Sequence, residues 1–168
     1  FLILIIDSYY QYFTGFNILG YIYDGYRLSS FFGEEKILGS YLSRLTPMLI
    51  ALLFYLYGYS NKFIFIYFIF LVLTDILVIL AGERTSIFYM FFSTLLICLL
   101  IKKWKIYRLL AFIISIFLST IIIFNNDNVR ERVLDKTIDQ SNIMSGKLNT
   151  FSVQHQVIYE TSLKIFKD

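Results

Sequence analysis

The sequence predicts an all-α, polytopic transmembrane helix bundle, with about four spans, a partial span at its N-terminal end and outward helical loop segments. Two features of composition predict this class. Apolar residues make up 58% of the 168-residue chain and charged residues only 16%, against roughly 25% charged in soluble domains. The apolar residues are also concentrated in four runs of about 17 to 22 residues, the length at which a helix crosses the hydrocarbon of a bilayer.

The first 37 residues precede these runs. Residues 1–6 are all apolar and end at Asp7. Six residues are too few to span a bilayer, so we expect them to be the end of a truncated transmembrane helix. Residues 7–37 are rich in tyrosine and glycine, which predicts an outward interfacial loop, because tyrosine favours the boundary between membrane and water.

Residues 38–124 contain the four predicted transmembrane helices. In lipid only a helix satisfies its own backbone hydrogen bonds, so each apolar run is expected to be helical. The connections are short, which makes consecutive helices antiparallel neighbours. Residues 125–168 are expected to begin a large outward loop that is truncated, with helical patches at 129–138 and 152–166. The predicted spans cover residues 38–59, 63–81, 85–101 and 106–124.

The positions of basic residues predict the orientation, because lysine and arginine favour the cytoplasmic ends of spans. Two junctions on the same side of the predicted bundle carry five basic residues and no acid. The other side has mixed charges and is expected to face outward. The five basic residues are Lys62, Lys102, Lys103, Lys105 and Arg108.

Two charged residues fall inside predicted spans. Arg44 lies in the first span and Asp75 in the second, both about 10 Å below the outer surface at 1.5 Å per helical residue. Charges in hydrocarbon need a partner or a wet cavity. We therefore predict that Arg44 and Asp75 pair, either to lock two helices together or to shape an outward-open polar cavity.

The turn Gly82-Glu83-Arg84-Thr85 places a guanidinium where the third span begins. A guanidinium binds a lipid diphosphate well, because its planar fork combines charge with two parallel hydrogen bonds. A helix N-terminus at the same place favours anions, and Thr85 is the expected cap. The alternative is an interfacial Glu83–Arg84 pair that only ends two helices.

His155 is the one histidine of the chain and follows the last span. With an unperturbed pKa near 6.5, histidine is a natural proton acceptor at neutral pH, although a lone histidine on an exposed helix is more often a bystander. The sequence has no metal-ligand cluster, phosphate loop or nucleotide fingerprint. We therefore expect no metal, no cofactor and no nucleic acid partner.

Several short motifs, in this order along nearly the whole chain, resemble the O-antigen ligase and O-antigen polymerase family of bacterial envelopes. The turn that contains Arg84 is the most specific of them. The motifs are Asp7-Ser-Tyr-Tyr-Gln-Tyr-Phe-Thr-Gly15, Arg27-Leu-Ser-Ser-Phe-Phe-Gly33, Ala81-Gly-Glu-Arg-Thr85 and His155-Gln-Val-Ile-Tyr-Glu160.

The resemblance implies a metal-independent glycosyltransferase of the bacterial inner membrane, with periplasmic outward loops. Its partners would be an undecaprenyl-diphosphate-linked glycan and an acceptor on lipid A–core or on another carrier-linked chain. By resemblance, Arg84 would hold the diphosphate, Arg27 would assist, and His155 would act as the base. Lys147 stands where family members often have arginine.

Two other classes of protein stay open at this point. Arg44 and Asp75 could line the solute path of a transporter fragment. The charged segment after residue 125 could instead be a docking surface of a non-catalytic envelope assembly subunit. The sequence does not separate ligase from polymerase, because both would use the same donor and differ only in the acceptor.

Overall fold

The computed structural model describes residues 1–58, 61–101, 104–131, 133 and 153–167. Among them the one extended pairing is an isolated antiparallel bridge between Phe16 and Ile22. A 3-10 helix, Ser30–Glu35, precedes the second α-helix. The described α-helices are α1 Leu2–Thr14, α2 Leu38–Tyr57, α3 Asn61–Leu80, α4 Arg84–Leu100, α5 Lys105–Asn125, α6 Asp127–Arg130 and α7 Val153–Lys167.

The chain forms two compact units, Phe1–Val129 and Arg130–Asp168. The first contains the helices α1 to α5. The second contains α7, which matches the helical patch predicted for residues 152–166. Most of the other predicted patch, at residues 129–138, lies outside the described residues.

Three helices are long and apolar enough to cross a membrane: α2, α3 from Phe63 onward, and α5. The helix α4 is also apolar but has only 17 residues, about 26 Å at 1.5 Å per residue. The predicted all-helical fold is thus confirmed, and three of the described helices are long and apolar enough to span a membrane. The count of four spans remains a prediction.

The surface of the bundle is more apolar than that of a soluble protein. Large apolar side chains such as Leu52, Ile113 and Phe117 are exposed, whereas a soluble domain would bury most of them. Many buried side chains are polar instead, as expected where the surrounding solvent is lipid. The polar side chains buried within α2 to α5 are Ser43, Thr46, Thr74, Asp75, Ser86, Thr94, Arg108, Ser115 and Ser119.

Small and polar residues recur at spacings of three and four on the buried faces. On α5 the buried positions include Arg108, Ala111, Ser115 and Ser119, which share one face of a helix with 3.6 residues per turn. Small side chains on such a face let neighbouring helices approach closely. The close approach brings polar atoms of different helices within hydrogen-bonding distance.

The two ends of the bundle differ in what they contain. At one end, the Gly39 N–H at the start of α2 donates to Glu83 in the α3–α4 turn at 3.2 Å. A Cβ at Gly25 would lie 2.7 Å from Asn128 Nδ2, which places the segment after α5 at this end too. We call this the loop end, comprising residues 15–40, the α3–α4 turn and residues 126–129.

At the opposite end α2 meets α3 and α4 meets α5. The Trp104 ring, just before α5, packs 4.2 Å from Phe54 and 5.7 Å from Tyr67 between ring centroids. We call this the lysine end because Lys62 is the second residue of α3 and Lys105 is the first residue of α5. The arrangement confirms that consecutive helices are antiparallel.

The helix α1 continues past Asp7 to Thr14, so the predicted end of an apolar helix at residue 6 is wrong. Residues beyond it pack on the buried polar side of α1. Asp7 Oδ1 accepts a hydrogen bond from the Ile18 N–H at 2.9 Å, and Asp7 Oδ2 accepts one from the Ser30 hydroxyl. Gln11 Oε1 accepts a further one from the Ser30 N–H at 2.7 Å.

The predicted ion pair between Arg44 and Asp75 is wrong. Asp75 pairs with Arg108, whose Nη1 donates to Oδ2 at 2.6 Å and whose Nη2 donates to Oδ1 at 3.2 Å. Arg44 is exposed, and its guanidinium lies over the Tyr89 ring, 5.2 Å from the centroid. The buried face of α2 contains Ser43 and Thr46, and Arg44 is rotated about 100° from Ser43.

Arg108 also changes the charge count at the lysine end. The sequence placed it among the cytoplasmic cations, but its side chain is buried and directed at Asp75. The four lysines that the sequence assigns to these junctions still favour a cytoplasmic position for this end. The orientation in the membrane remains a prediction.

We expect Asp75→Ala and Arg108→Ala each to lower the free energy of unfolding by about 3–5 kcal/mol, because each leaves a buried charge unpaired. The double variant Asp75→Leu/Arg108→Met should lose less than either single variant. The measurement is unfolding by denaturing detergent in mixed micelles. Arg44→Ala serves as the control, and energetic coupling of Asp75 to Arg44 instead of Arg108 would contradict the observed pairing.

Candidate functional site

The α3–α4 turn is tight and ordered by its own backbone. Gly82 has a φ of 66°, a left-handed conformation that glycine adopts without steric cost. Its N–H donates to the Ile79 carbonyl at 3.0 Å, which closes the end of α3. The Glu83 carbonyl then accepts the first bonds of α4, from the N–H groups of Ser86 and Ile87 at 3.1 Å each.

The Glu83 carboxylate ties the start of α2 to the start of α4. It is buried and accepts hydrogen bonds from the Ser40 hydroxyl at 2.5 Å and the Ser86 hydroxyl at 2.9 Å. The Gly39 N–H donates a third. A Cβ at Gly39 would lie 3.0 Å from the Ala81 Cβ, so glycine allows this close approach. The carboxylate thereby fixes where the turn sits.

Arg84 is the first residue of α4, and its side chain is exposed. The residue that precedes the helix is Glu83, so the predicted cap at Thr85 is wrong. Thr85 is already helical and exposed. The guanidinium therefore lies at the N-terminus of a 17-residue helix, where unpaired N–H groups and the helix dipole both favour an anion.

Arg27 belongs to the same end of the bundle as Arg84. Its N–H donates to Asp24 Oδ1 at 3.1 Å, and the other Asp24 oxygen accepts a hydrogen bond from Lys36, two residues before α2. The side chain is half-buried, and its Nε is buried without a hydrogen-bond partner among the described residues. The segment thus holds a guanidinium with spare donor capacity near the start of α2.

Asp24 holds this segment together as an ion. Burial alone would raise the pKa of its carboxyl, but the hydrogen bonds from Lys36 and from the Tyr26 and Arg27 N–H groups hold that pKa below its usual value. The carboxylate is therefore ionised at neutral pH. Its hydrogen bonds weaken only as the pH falls through that lowered value.

His155 lies in α7, in the second compact unit. Its side chain is outside the part of the chain that the structure describes, as is Lys147. The joint role that the resemblance gives to His155, Arg27 and Arg84 therefore remains a prediction.

The sequence analysis did not predict the polar cluster of Asp75, Thr94, Arg108 and Ser115. Arg108 also donates to the Thr94 hydroxyl on α4, and the Ser115 hydroxyl lies 3.4 Å from Asp75 Oδ2. The spacing of Arg108, Ala111 and Ser115 on one face of α5 is the signal that could have revealed it. An adjoining cavity of about 10 Å³ is bordered by Thr46 and Arg108, which is room for about one water molecule. This cluster therefore holds helices together and is too small to admit a sugar.

No family model matches the chain, and neither the curated proteins nor the solved structures compared with it include a significant match. Function must therefore be argued from the loop end itself. There Arg84 is exposed at a helix N-terminus and Arg27 is half-buried, and each guanidinium is a group that binds anions with several oxygens.

We expect Glu83→Ala to lower the free energy of unfolding by about 2–3 kcal/mol, because three donors lose a charged acceptor. Glu83→Gln, which keeps one acceptor oxygen, should lose less. The measurement is denaturant unfolding in micelles. Glu34→Ala is the matched control, since Glu34 is exposed. Equal stability of Glu83→Ala and Glu34→Ala would contradict the role of Glu83.

Proposed function

We propose that the protein is a glycosyltransferase of the O-antigen ligase or polymerase type. It would transfer a glycan from an undecaprenyl-diphosphate carrier to lipid A–core or to a growing polysaccharide. The loop end would face the periplasm, at the outer surface of the bacterial inner membrane. The main support is the exposed Arg84 guanidinium at the first position of α4, beside the end of the membrane-crossing helix α3.

The chemistry requires a cation at this place. As the sugar leaves the carrier, negative charge develops on the diphosphate, and a preorganised donor lowers the energy of that state. Arg84 offers parallel N–H groups with a full charge, and the start of α4 adds its dipole. A lipid carrier brings its diphosphate to the membrane surface, which is where a residue at the end of an apolar helix lies.

Preorganisation depends on Glu83. The Glu83 carboxylate accepts hydrogen bonds from Gly39, Ser40 and Ser86. The backbone that carries Arg84 is therefore fixed relative to α2. A rigidly placed donor needs no reorganisation when charge develops. Glu83 would thus act as a positioning residue, whereas Arg84 would contact the substrate.

The remaining roles follow from the reaction. The acceptor hydroxyl oxygen would attack the anomeric carbon, the bond from that carbon to the diphosphate oxygen would break, and the hydroxyl proton would pass to His155. Arg27 would supply a second guanidinium to the departing diphosphate. The assignment of His155 and Arg27 rests on the family resemblance of their motifs.

A transporter is supported less by the same residues. That alternative placed Arg44 and Asp75 along one solute path, but Asp75 is buried against Arg108 while Arg44 is exposed beside Tyr89. The alternative of an assembly subunit rests on residues after 125, of which 132, 134–152 and 168 lie outside the described part of the chain.

Arg84→Lys should reduce glycan transfer by about 10²–10³-fold, because lysine keeps the charge but loses the paired donors.

His155→Ala should reduce transfer by about 10²–10⁴-fold without weakening donor binding. Both are measured by complementing a deletion of the full-length gene and analysing envelope polysaccharide on gels, together with the amount of protein in the membrane.

Thr85→Ala and Gln154→Ala are the matched controls, since each changes a neighbour on the same helix, and both should transfer normally. Normal transfer by Arg84→Lys would refute its role. In the deletion strain, lipid-linked polymer without long chains on lipid A–core indicates a ligase, whereas single repeat units indicate a polymerase. Unchanged polysaccharide in that strain would contradict the proposed function.

A further inference from the structure

Arg44 is an exposed cation within a membrane-crossing helix. It lies six residues after Leu38, the first residue of α2, or about 9 Å along the helix axis. The side chain is directed away from the polar interior that contains Asp75 and Arg108. A charge at this depth is costly unless an anion or water reaches it.

The surface around Arg44 is apolar. Tyr41 and Met48, one turn away on either side along α2, are exposed to 38% and 68%. Phe92, one turn beyond Tyr89 on α4, is also exposed. Residues spaced by three or four are neighbours on a helix surface, so the guanidinium is bordered by side chains that favour acyl chains over water.

The guanidinium has one described partner, the Tyr89 ring at 5.2 Å. Among the described residues it makes neither an ion pair nor a hydrogen bond. A cation–π contact covers one face of the planar group and leaves its five N–H donors free for another acceptor. The guanidinium therefore has donors available for an anion from outside the described chain.

We propose that Arg44 and Tyr89 form a binding site for the phosphate of an anionic membrane lipid, in the groove between α2 and α4. The lipid phosphate would pair with the guanidinium, and its acyl chains would cover Met48 and Leu52, which is 54% exposed. Free phosphate brings no apolar group and would leave these side chains uncovered. The proposed lipid contact does not depend on the transfer reaction.

The experiment reconstitutes the full-length protein into nanodiscs of phosphatidylcholine with or without phosphatidylglycerol and counts retained lipids by native mass spectrometry. Arg44→Gln should bind phosphatidylglycerol about tenfold more weakly, since a hydrogen bond to a charged group is lost. Arg44→Lys should fall between the two, and Tyr89→Leu should weaken binding while Tyr89→Phe, which keeps the ring, should not.

Lys36→Gln is the matched control, because that cation already pairs with Asp24, and it should retain the lipid. Competition with inorganic phosphate should not release phosphatidylglycerol; release would show that the site takes free phosphate and would overturn the lipid assignment. Equal lipid retention by the wild type and Arg44→Gln would overturn the site. A wild-type protein that retains no lipid and dimerises through the face around Arg44 would also overturn the site.

Discussion

The bundle depends on one buried ion pair, between Asp75 on α3 and Arg108 on α5. Both side chains are only 3% exposed, and two charges in such a place are tolerated only when each satisfies the other. The pair reaches a third helix because Arg108 also donates to Thr94 on α4. These polar contacts therefore fix the rotation of each of the three helices about its own axis. Contacts among apolar side chains alone would not specify that rotation.

That rotation positions the loop end. Because Thr94 faces Arg108, Ser86 lies on the same buried face of α4 two turns earlier, where its hydroxyl meets Glu83. Glu83 in turn holds the start of α2. Arg84, one residue after Glu83, then lies on the exposed side. The position of the exposed Arg84 thus depends, through α4, on the buried contacts of Arg108 with Asp75 and Thr94.

The sequence predicted the helix positions well but not their faces. The spans expected at residues 38–59, 63–81, 85–101 and 106–124 correspond to α2 through α5 within one or two residues at each end, because apolar length largely determines where a membrane helix begins and ends. The predicted depth of Arg44, level with Asp75, agrees with the structure, since Thr46 on the same turn of α2 borders the same cavity as Asp75. The face of α2 on which Arg44 lies was predicted wrongly. Arg44 is two residues from Thr46 and lies on another side of the helix.

Arg108 illustrates a second limit. Arg108 is three residues after the start of α5, yet its guanidinium donates to Asp75, fourteen residues after the start of α3. The two helices therefore begin at different levels in the bundle, and the long arginine side chain spans the rest of the distance to Asp75. Such an offset between helices comes from packing and cannot be counted from one sequence. For the candidate site, the sequence identified Arg84 and the turn but not the bonds that fix Glu83.

The most direct measurement concerns which face of the membrane the loop end occupies. In a Cys98→Ser background, Thr85→Cys at the loop end and Lys105→Cys at the lysine end are each treated with a membrane-impermeant thiol reagent in intact spheroplasts. We predict that Thr85→Cys is labelled at once and that Lys105→Cys is labelled only after the membrane is permeabilised. Labelling of Lys105→Cys alone in intact spheroplasts would place Arg84 in the cytoplasm and contradict the account.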